Sequence, residues 1–391
     1  MVDALHGVWE GSDPAEALAR VIWSVVAEPG DGDAGELVAR LGARGALNAA
    51  FGNRGEDMGR EGDGHRLRDA RARWQGRLSR DAVLDALRDA RHVDARLVLP
   101  SGGAWSAAFD DLGPHAPLAL WVRGDPGLLA APPRVAIVGA RAASGYGEML
   151  AAEFAGDLAA SGAVVVSGGA YGIDGAAHRA ALRVGGATVA FLAGGVDRAY
   201  PQGHRDLLRG ITDTGAVVSE APCGTAPTKW RFLARNRLIA ASSDATVVIE
   251  AGWRSGSLNT AGHAAALGRP LGAVPGPVTS ATSAGCHRLL REYDARCVTT
   301  TGEIRELWGG ETRSGGRGGE AEHDRSGPAS DPDRIRVLDA LGSRSAIDVG
   351  EIARRSGLAA ERVSAVLGLC ELDGVVVRSG GGWRSVTQKA V

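Results

Sequence analysis

Six short apolar runs rich in Val and Ile recur through the middle of the chain, at residues 135–139, 164–169, 188–195, 216–220, 245–251 and 270–276. Between them lie segments with apolar positions at helical spacing, among them EMLAAEFAGDLAASG, DGAAHRAALRVG, RNRLIAASS and SLNTAGHAAALG. Near-continuous apolar strands alternating with helices imply a parallel sheet covered on both faces. Right-handed crossovers then give an α/β fold, an extended Rossmann-like, doubly wound and mostly parallel sheet.

The flanks read differently. Residues 1–80 carry helical periodicity in PAEALARVIWSVVA and ELVARLGARGAL, which predicts a helical N-terminal module. Residues 81–134 add a helix (DAVLDALRDAR), a short strand (ARLVLP) and the run LALWVRGDP, so the Rossmann-like domain is expected over 81–307. Residues 308–332 hold almost no apolar side chains and are expected to form a flexible linker. Residues 333–391 read as a helix, a helix–turn–helix and a hairpin with residues 380–382 at its tip, a small winged-helix domain. Its third helix, AAERVSAVLGLCELDG, is apolar and acidic. A DNA-reading helix usually offers more Arg, Lys, Asn and Gln, so protein docking or a structural role is favoured there.

Composition narrows the partners. The 391 residues carry a formal net charge of -2, so any polyanion site must be a local patch. Four cysteines (Cys223, Cys286, Cys297, Cys370) lie far apart without a CxxC, which argues against zinc and fits a reducing, cytoplasmic setting. No run of 18 apolar residues predicts a membrane span, and the N-terminus has no apolar core of a signal peptide.

In an open α/β sheet, ligands sit beyond the carboxyl ends of the strands. The first end, VAIVGARAASGYG, offers Gly139, Arg141 and Ser144: a turn that backbone N–H groups can share with a phosphate, a cation and a hydroxyl. The spacing is not G-x-G-x-x-G and no acid follows to hold a ribose, so a dinucleotide cofactor is disfavoured, and no cofactor or metal is expected. The second end contributes Ser167, Gly168, Gly169 and Ala170. Asp174 there reads as a helix N-cap and His178 as a helix histidine, with a metal or acid–base pair as the sharper alternative. A later end offers Ser255, Gly256 and Ser257, hydroxyls that suit a phosphate or cap a helix. The stretch KWRFLARNR packs Lys229, Arg231, Arg235 and Arg237 around Asn236 with no acid. Lys229 and Arg231 fall in the connector, and Arg235 and Arg237 at the start of the helix RNRLIAASS. A helix N-terminus repels cations, so an anion in the crevice would account for them. Trp230 and Phe232 read as core anchors or as base-stacking platforms. No nucleophile–base pair, ligand cluster or paired carboxylates stand out, so the inventory suits binding a phosphate backbone rather than catalysis.

Together these blocks resemble the DprA (Smf) family of DNA-processing proteins. The carriers are VAIVGARAASGYG, SGGAYGIDGAAHRAAL, GGVDRAYPQGH, the segment 219–251, SGSLNTAGHA, GRPLGAVPG and GCHRLL, in order over roughly residues 5–305, with the tail matching more loosely. The resemblance implies binding of single-stranded DNA with little sequence preference, protection of incoming strands in natural transformation, loading of the recombinase RecA, and homodimers or larger assemblies. It implies no catalytic activity. By analogy the DNA pocket comprises Arg141, Ser144, residues 167–170, Lys229 and the Arg235-Asn236-Arg237 block. The chain departs from the family pattern at His204, at Cys286-His287 and at Phe232-Leu233-Ala234. A phosphoribohydrolase-like enzyme on a related fold is the alternative, but the segment GWRSGSLNTAGHA lacks the terminal Glu of that family's motif.

Overall fold

The computed structural model describes residues 1–52, 63–100, 102–309, 332–342 and 345–386. Most of the expected linker therefore lies outside the described residues. Four helices lead the chain: α1 (Pro14–Val26), α2 (Gly32–Phe51), α3 (Asp63–Gln75) and α4 (Arg80–His92). The Asp13 side chain accepts the Ala15 and Glu16 N–H groups ahead of Pro14, which sets the start of α1. Strands β1 (Arg96–Val98) and β2 (Leu120–Gly124) follow.

The Rossmann-like alternation then runs β3 (Arg134–Val138), α5 (Gly145–Ala160), β4 (Val164–Ser167), α6 (Ile173–Arg183), β5 (Thr188–Phe191), α7 (Arg205–Thr214) and β6 (Ala216–Ser219). It continues with α8 (Lys229–Ala241), β7 (Ala245–Val248), α9 (Ser257–Ala266), β8 (Leu271–Ala273), α10 (Ala284–Glu292), β9 (Arg296–Cys297) and α11 (Thr301–Gly309). The nine strands form one sheet in the order β1-β2-β6-β5-β4-β3-β7-β8-β9. From β6 to β9 every pairing is parallel, and only β1 and β2 add antiparallel edges.

The pleat explains the unbroken apolar runs. Val135 and Ile137 face α5 and α6, while Ala136 and Val138 face the cluster that holds Leu238, Ile239 and Ala261 of α8 and α9. Each Val, Ile or Leu among them stabilises the fold by about 1.5–3 kcal/mol when fully buried. The chain winds from β3 outward to β6, then crosses back through α8 to β7 on the other side of β3. The topological switch point therefore lies between β3 and β7, and the crevice above it is open for a ligand.

The N-terminal helices are welded to this sheet. Leu5, Val21 and Leu87 share a core with Trp121 of β2 and Val217 of β6. On the far side of α1, Trp23 meets Trp74 edge-on at 4.9 Å. The Trp23 indole donates to the Ala43 carbonyl at 3.0 Å and that of Trp74 to Asp31 at 2.9 Å.

The C-terminal unit comprises α12 (Pro332–Ala340), α13 (Val349–Ser356), α14 (Ala360–Leu372) and the hairpin β10 (Val376–Ser379) and β11 (Gly382–Ser385). Gly380 and Gly381, with φ of 57° and 82°, make the two-residue turn, so Gly382 belongs to the strand rather than the tip. The core of this winged helix, built on Val337, Val363, Leu367 and Trp383, also takes Trp230 from α8. Asn259 Nδ2 donates to Asp339 at 3.2 Å, and His115 Nε2 lies 3.2 Å from Asp333, so α12 is seated against the Rossmann-like domain.

Two local expectations change. Helix α8 begins at Lys229, capped by the Thr228 hydroxyl, rather than at Arg235. Lys229 and Arg231 occupy its first turn, and Arg235 and Arg237 lie in its buried middle, so the dipole argument does not apply to them. Asp174 is not the cap of α6; that place is Gly172, with φ of 71°. Instead the Asp174 carboxylate reaches back and accepts the Gly168 and Ala170 N–H groups, at 3.1 and 3.4 Å.

Candidate nucleic-acid interface

A cleft of about 500 Å³ opens above the switch point. Its walls are the loop after β3 (Gly139, Arg141), the loop after β4 (Ala170), the side of α8 (Phe232, Arg235, Asn236) and the loop into α9 (Arg254, Ser255, Gly256, Ser257). Residues from four separate blocks of sequence thus meet at one place.

The loop after β3 must be glycine where it leaves the strand, because a Cβ on Gly139 would lie 2.6 Å from Ile173 Cγ1 and 2.8 Å from the Glu250 carbonyl. The turn projects Arg141 outward. Its exposed guanidinium stacks over the Phe232 ring at 4.7 Å, and Tyr200 packs on that ring at 5.3 Å. A cation and an aromatic shelf therefore share one rim. Arg254 is exposed on the opposite wall. Among the described residues neither Arg141 nor Arg254 makes an ion pair, so their charge is free for a ligand. Lys229 is also exposed, with Nζ 6.0 Å from the Trp230 ring, at the N-terminal end of α8.

Beneath the rim lies a buried polar floor. Arg235 is 5% exposed; it donates to the Gly168 carbonyl at 2.7 Å, to the Phe191 carbonyl, and to Asn236 Oδ1 at 3.1 Å. Burial pulls its pKa down to about 10, against the pull of the Asp174 carboxylate, so it remains a cation at neutral pH. A Cβ on Gly168 would sit 2.4 Å from that guanidinium, which is why the loop is glycine there. The Asn236 amide donates to the Gly256 carbonyl at 3.3 Å and to Asn259 Oδ1 at 3.1 Å. Arg235 and Asn236 thereby hold the loops after β4 and before α9 in a fixed relation. Ser167 is fully buried, its hydroxyl donating to the Ile137 carbonyl at 2.7 Å. Gly169, with φ of 66°, turns the loop, and its carbonyl lies 3.0 Å from His204 Nδ1. Ser255 and Ser257 hydroxyls lie 2.7 Å apart at the start of α9.

The expected set therefore divides. Gly139, Arg141, Ala170, Arg235, Asn236, Ser255, Gly256 and Ser257 line the cleft, whereas Ser167, Gly168 and Gly169 support it from below. Ser144 faces inward: its hydroxyl donates to Glu250 at 2.6 Å and accepts the Gly147 N–H at 3.2 Å, capping α5. Arg237 lies away from the cleft. It clasps both oxygens of Glu220 at 2.8 and 2.7 Å and donates to the His115 and Ala234 carbonyls, at 2.9 and 2.7 Å. Its charge is spent inside the fold. Arg254 was not singled out from the sequence; its signal was its place immediately before the Ser-Gly-Ser that leads into α9.

The Asp174–His178 alternative also resolves. The Thr188 hydroxyl donates to the Val165 carbonyl at 2.7 Å, so it accepts from His178 Nδ1–H, also at 2.7 Å. Burial first, and then the charges of His204, Arg235 and Arg179, bring the His178 pKa down to about 3. It is a neutral core histidine. No His, Cys, Asp and Glu cluster suited to a metal occurs among the described residues.

A second cavity of about 360 Å³ lies between the N-terminal helices, the start of α8 and α13, and it too is lined by arginines. Acids answer them: Glu28 pairs with Arg231 at 3.0 Å and Arg77 at 2.6 Å, Asp33 pairs with Arg73 at 2.6 Å, and Glu351 pairs with Arg354 and Arg355. The cleft at the switch point differs in leaving its outer cations unmatched.

Comparison with known proteins agrees with this architecture. Residues 96–309 match the family model of DNA recombination-mediator protein A, and residues 321–382 match that of the DprA winged helix domain. A Mycobacterium tuberculosis relative named for DNA processing (DprA) is 45% identical over 320 residues, 78% of this chain and 80% of its own. The DNA processing protein DprA of Streptococcus pneumoniae is 41% identical over 189 residues, 48% of this chain and 66% of its own. The X-ray structure of DprA from Streptococcus pneumoniae superposes with a TM-score of 0.61 at 28% identity, covering 77% of this chain and 99% of that one. The chain belongs to the DNA recombination-mediator protein A (DprA) family.

Proposed function

We propose that the switch-point cleft binds single-stranded DNA, with the phosphate backbone on the rim and bases against the aromatic shelf. The observation that carries this reading is the pairing of two unmatched, exposed arginines, Arg141 and Arg254, with the Phe232–Tyr200 face between flexible-ligand walls of Gly and Ser. Cations that track phosphates and an aromatic that accepts any base give affinity without sequence preference. A duplex keeps its bases stacked inside, so the shelf discriminates in favour of single strands.

The roles that the family resemblance adds are part of the same proposal: delivery of the bound strand to RecA, assembly as a homodimer, and action inside the cell during DNA uptake. Among the described residues no helix is long and apolar enough to cross a membrane. The cleft is taken as a binding surface rather than an active site, with Ser144 and His178 both engaged inside the fold.

The test is fluorescence anisotropy with labelled oligo-dT and a matched duplex, across a salt series, for the wild type and Arg141→Ala with Arg254→Ala. Preferential binding of oligo-dT, with a salt slope that drops by about 0.7 for each arginine removed, supports the reading. Equal affinity for duplex and single strand, or a folded double variant with wild-type affinity, refutes it. Release of free base from nucleoside monophosphates by the same preparation would favour the phosphoribohydrolase alternative instead. For RecA, the measurement is the lag in filament growth on oligo-dT with and without the protein.

A further inference from the structure

Directly behind the cleft, the N-terminus of α5 already holds an anion. Glu250 follows β7 beside the switch point and is 3% exposed. Its Oε2 accepts the Ser144 N–H at 2.9 Å, and its Oε1 accepts the Ser144 and Thr282 hydroxyls at 2.6 and 3.0 Å. Thr282 donates its proton to Glu250, so at 2.8 Å it accepts from the Ser280 hydroxyl. Gly147 lies in the first turn of α5, where a Cβ would stand 2.3 Å from Oε2; only glycine lets the carboxylate rest against the helix backbone. No Lys, Arg or His pairs with Glu250 among the described residues. Its charge is balanced by one backbone N–H, two hydroxyls and the positive end of a 16-residue helix. Those are the groups that hold a phosphate at the first βα turn of an open sheet.

We infer that Glu250 is a specificity-determining residue: an internal anion that closes the helix N-terminus to the phosphate of a mononucleotide. The phosphate-binding groups left to the crevice are then those of its walls and rim, where Arg141 and Arg254 can meet a chain of phosphates. The occupancy of the cradle stands on geometry alone, while the consequence for polymer selection rests on the proposed DNA-binding reading.

The experiment is thermal unfolding of the full chain in sodium phosphate against sodium chloride at matched ionic strength, and with thymidine monophosphate. It compares the wild type with Glu250→Ala and Glu250→Gln, and oligo-dT binding by the wild type is measured alongside. The wild type is expected to show no phosphate-specific shift. Glu250→Ala empties the cradle and should gain a saturable rise in Tm with phosphate and the nucleotide, with affinity at least about tenfold above wild type. Glu250→Gln keeps the cradle filled and should show no gain. A purely structural role for Glu250 would lower Tm in both variants without any response to phosphate. A folded Glu250→Ala without that response, or a wild type that responds equally, overturns the inference. If Glu250→Ala is insoluble in chloride, recovery of soluble protein on refolding in phosphate supports the inference and failure of that rescue refutes it. Failure of the oligo-dT arm alone would remove the DNA-binding reading and leave the cradle result standing.

Discussion

Two arginines of the cleft, Arg141 and Arg235, should fail in opposite ways when truncated. Arg235 is 5% exposed and donates to the Gly168 carbonyl at 2.7 Å, to the Phe191 carbonyl and to Asn236. Arg235→Ala leaves two carbonyls without a donor and the buried Asp174 carboxylate without its cation. Leaving buried acceptors unsatisfied costs about 1–3 kcal/mol each, more for a charged group. At roughly 2–4 °C per kcal/mol for a domain of this size, Tm should fall by about 10 °C. Arg141 is exposed, and its guanidinium lies over the Phe232 ring at 4.7 Å with no ion pair among the described residues. Arg141→Ala should therefore cost no more than about 1 kcal/mol of stability. Its loss should appear instead in oligo-dT affinity, by about tenfold, because hydrogen bonds to charged groups contribute roughly 1.5–3 kcal/mol. Scanning calorimetry and anisotropy on the same preparations separate the two. Asp174→Asn added to Arg235→Met removes the stranded charge, and should restore part of the lost stability. Arg235→Ala with an unchanged Tm and lost binding would refute this division, since the guanidinium would then face the ligand. Arg141→Ala with unchanged affinity and salt slope would do the same from the other side.

Three further outcomes follow from buried groups. His178, its pKa lowered to about 3 by burial and by nearby cations, stays neutral in the fold while the unfolded chain takes up a proton below its ordinary value near 6.5. Stability should therefore fall with pH, by about 2 kcal/mol from this residue at pH 5, and His178→Gln should flatten that slope in urea titrations; an unchanged slope would sink the assignment. Asp339 behaves in the reverse sense: burial raises its pKa to about 6, with Lys229 pulling the other way. The folded state holds this proton between about pH 4 and 6 where the unfolded chain does not, so seating of α12 should tighten as pH falls through that window. Asp339→Asn should weaken the pH dependence of the seating in that window, read as the pH-dependent difference in tryptophan fluorescence between wild type and Trp230→Phe; an undiminished pH effect in the variant would refute the link. Trp230→Ala removes the α8 side chain that packs on the winged-helix core and should cost about 2 kcal/mol of docking, seen as a larger radius of gyration by small-angle scattering.

Why some of this was legible in the sequence and some was not follows from what each pattern encodes. The parallel sheet was readable because burial on both faces leaves an unbroken apolar run, as in Val135, Ala136, Ile137 and Val138, and the chain repeats that pattern six times. Strand β9, only Arg296–Cys297 and exposed, carries no such run, and it escaped. The start of α8 was misplaced because KWRFLARNR has no apolar periodicity: its first turn faces the cleft and the winged helix, and its middle buries Arg235 and Arg237 where a periodic pattern would place Leu. The capping signal was there in Thr228, three residues ahead of Arg231, whose N–H it takes.

The same inversion governs the site. Sequence shows which residue types are charged, but not whether an acid elsewhere has already answered the charge. Arg237 and Arg141 read alike as cations beside strand ends. Glu220, 17 residues before Arg237, clasps it, while among the described residues no acid pairs with Arg141. Ser144 read as a phosphate ligand for the same reason, and Glu250, 106 residues away, already occupies its donors. A binding surface is what remains after internal pairing is complete. At the cleft that remainder is Arg141, Arg254 and the ring of Phe232, with Lys229 exposed at the end of α8, so these groups, rather than the buried arginines of the same helix, are where ligand affinity should reside.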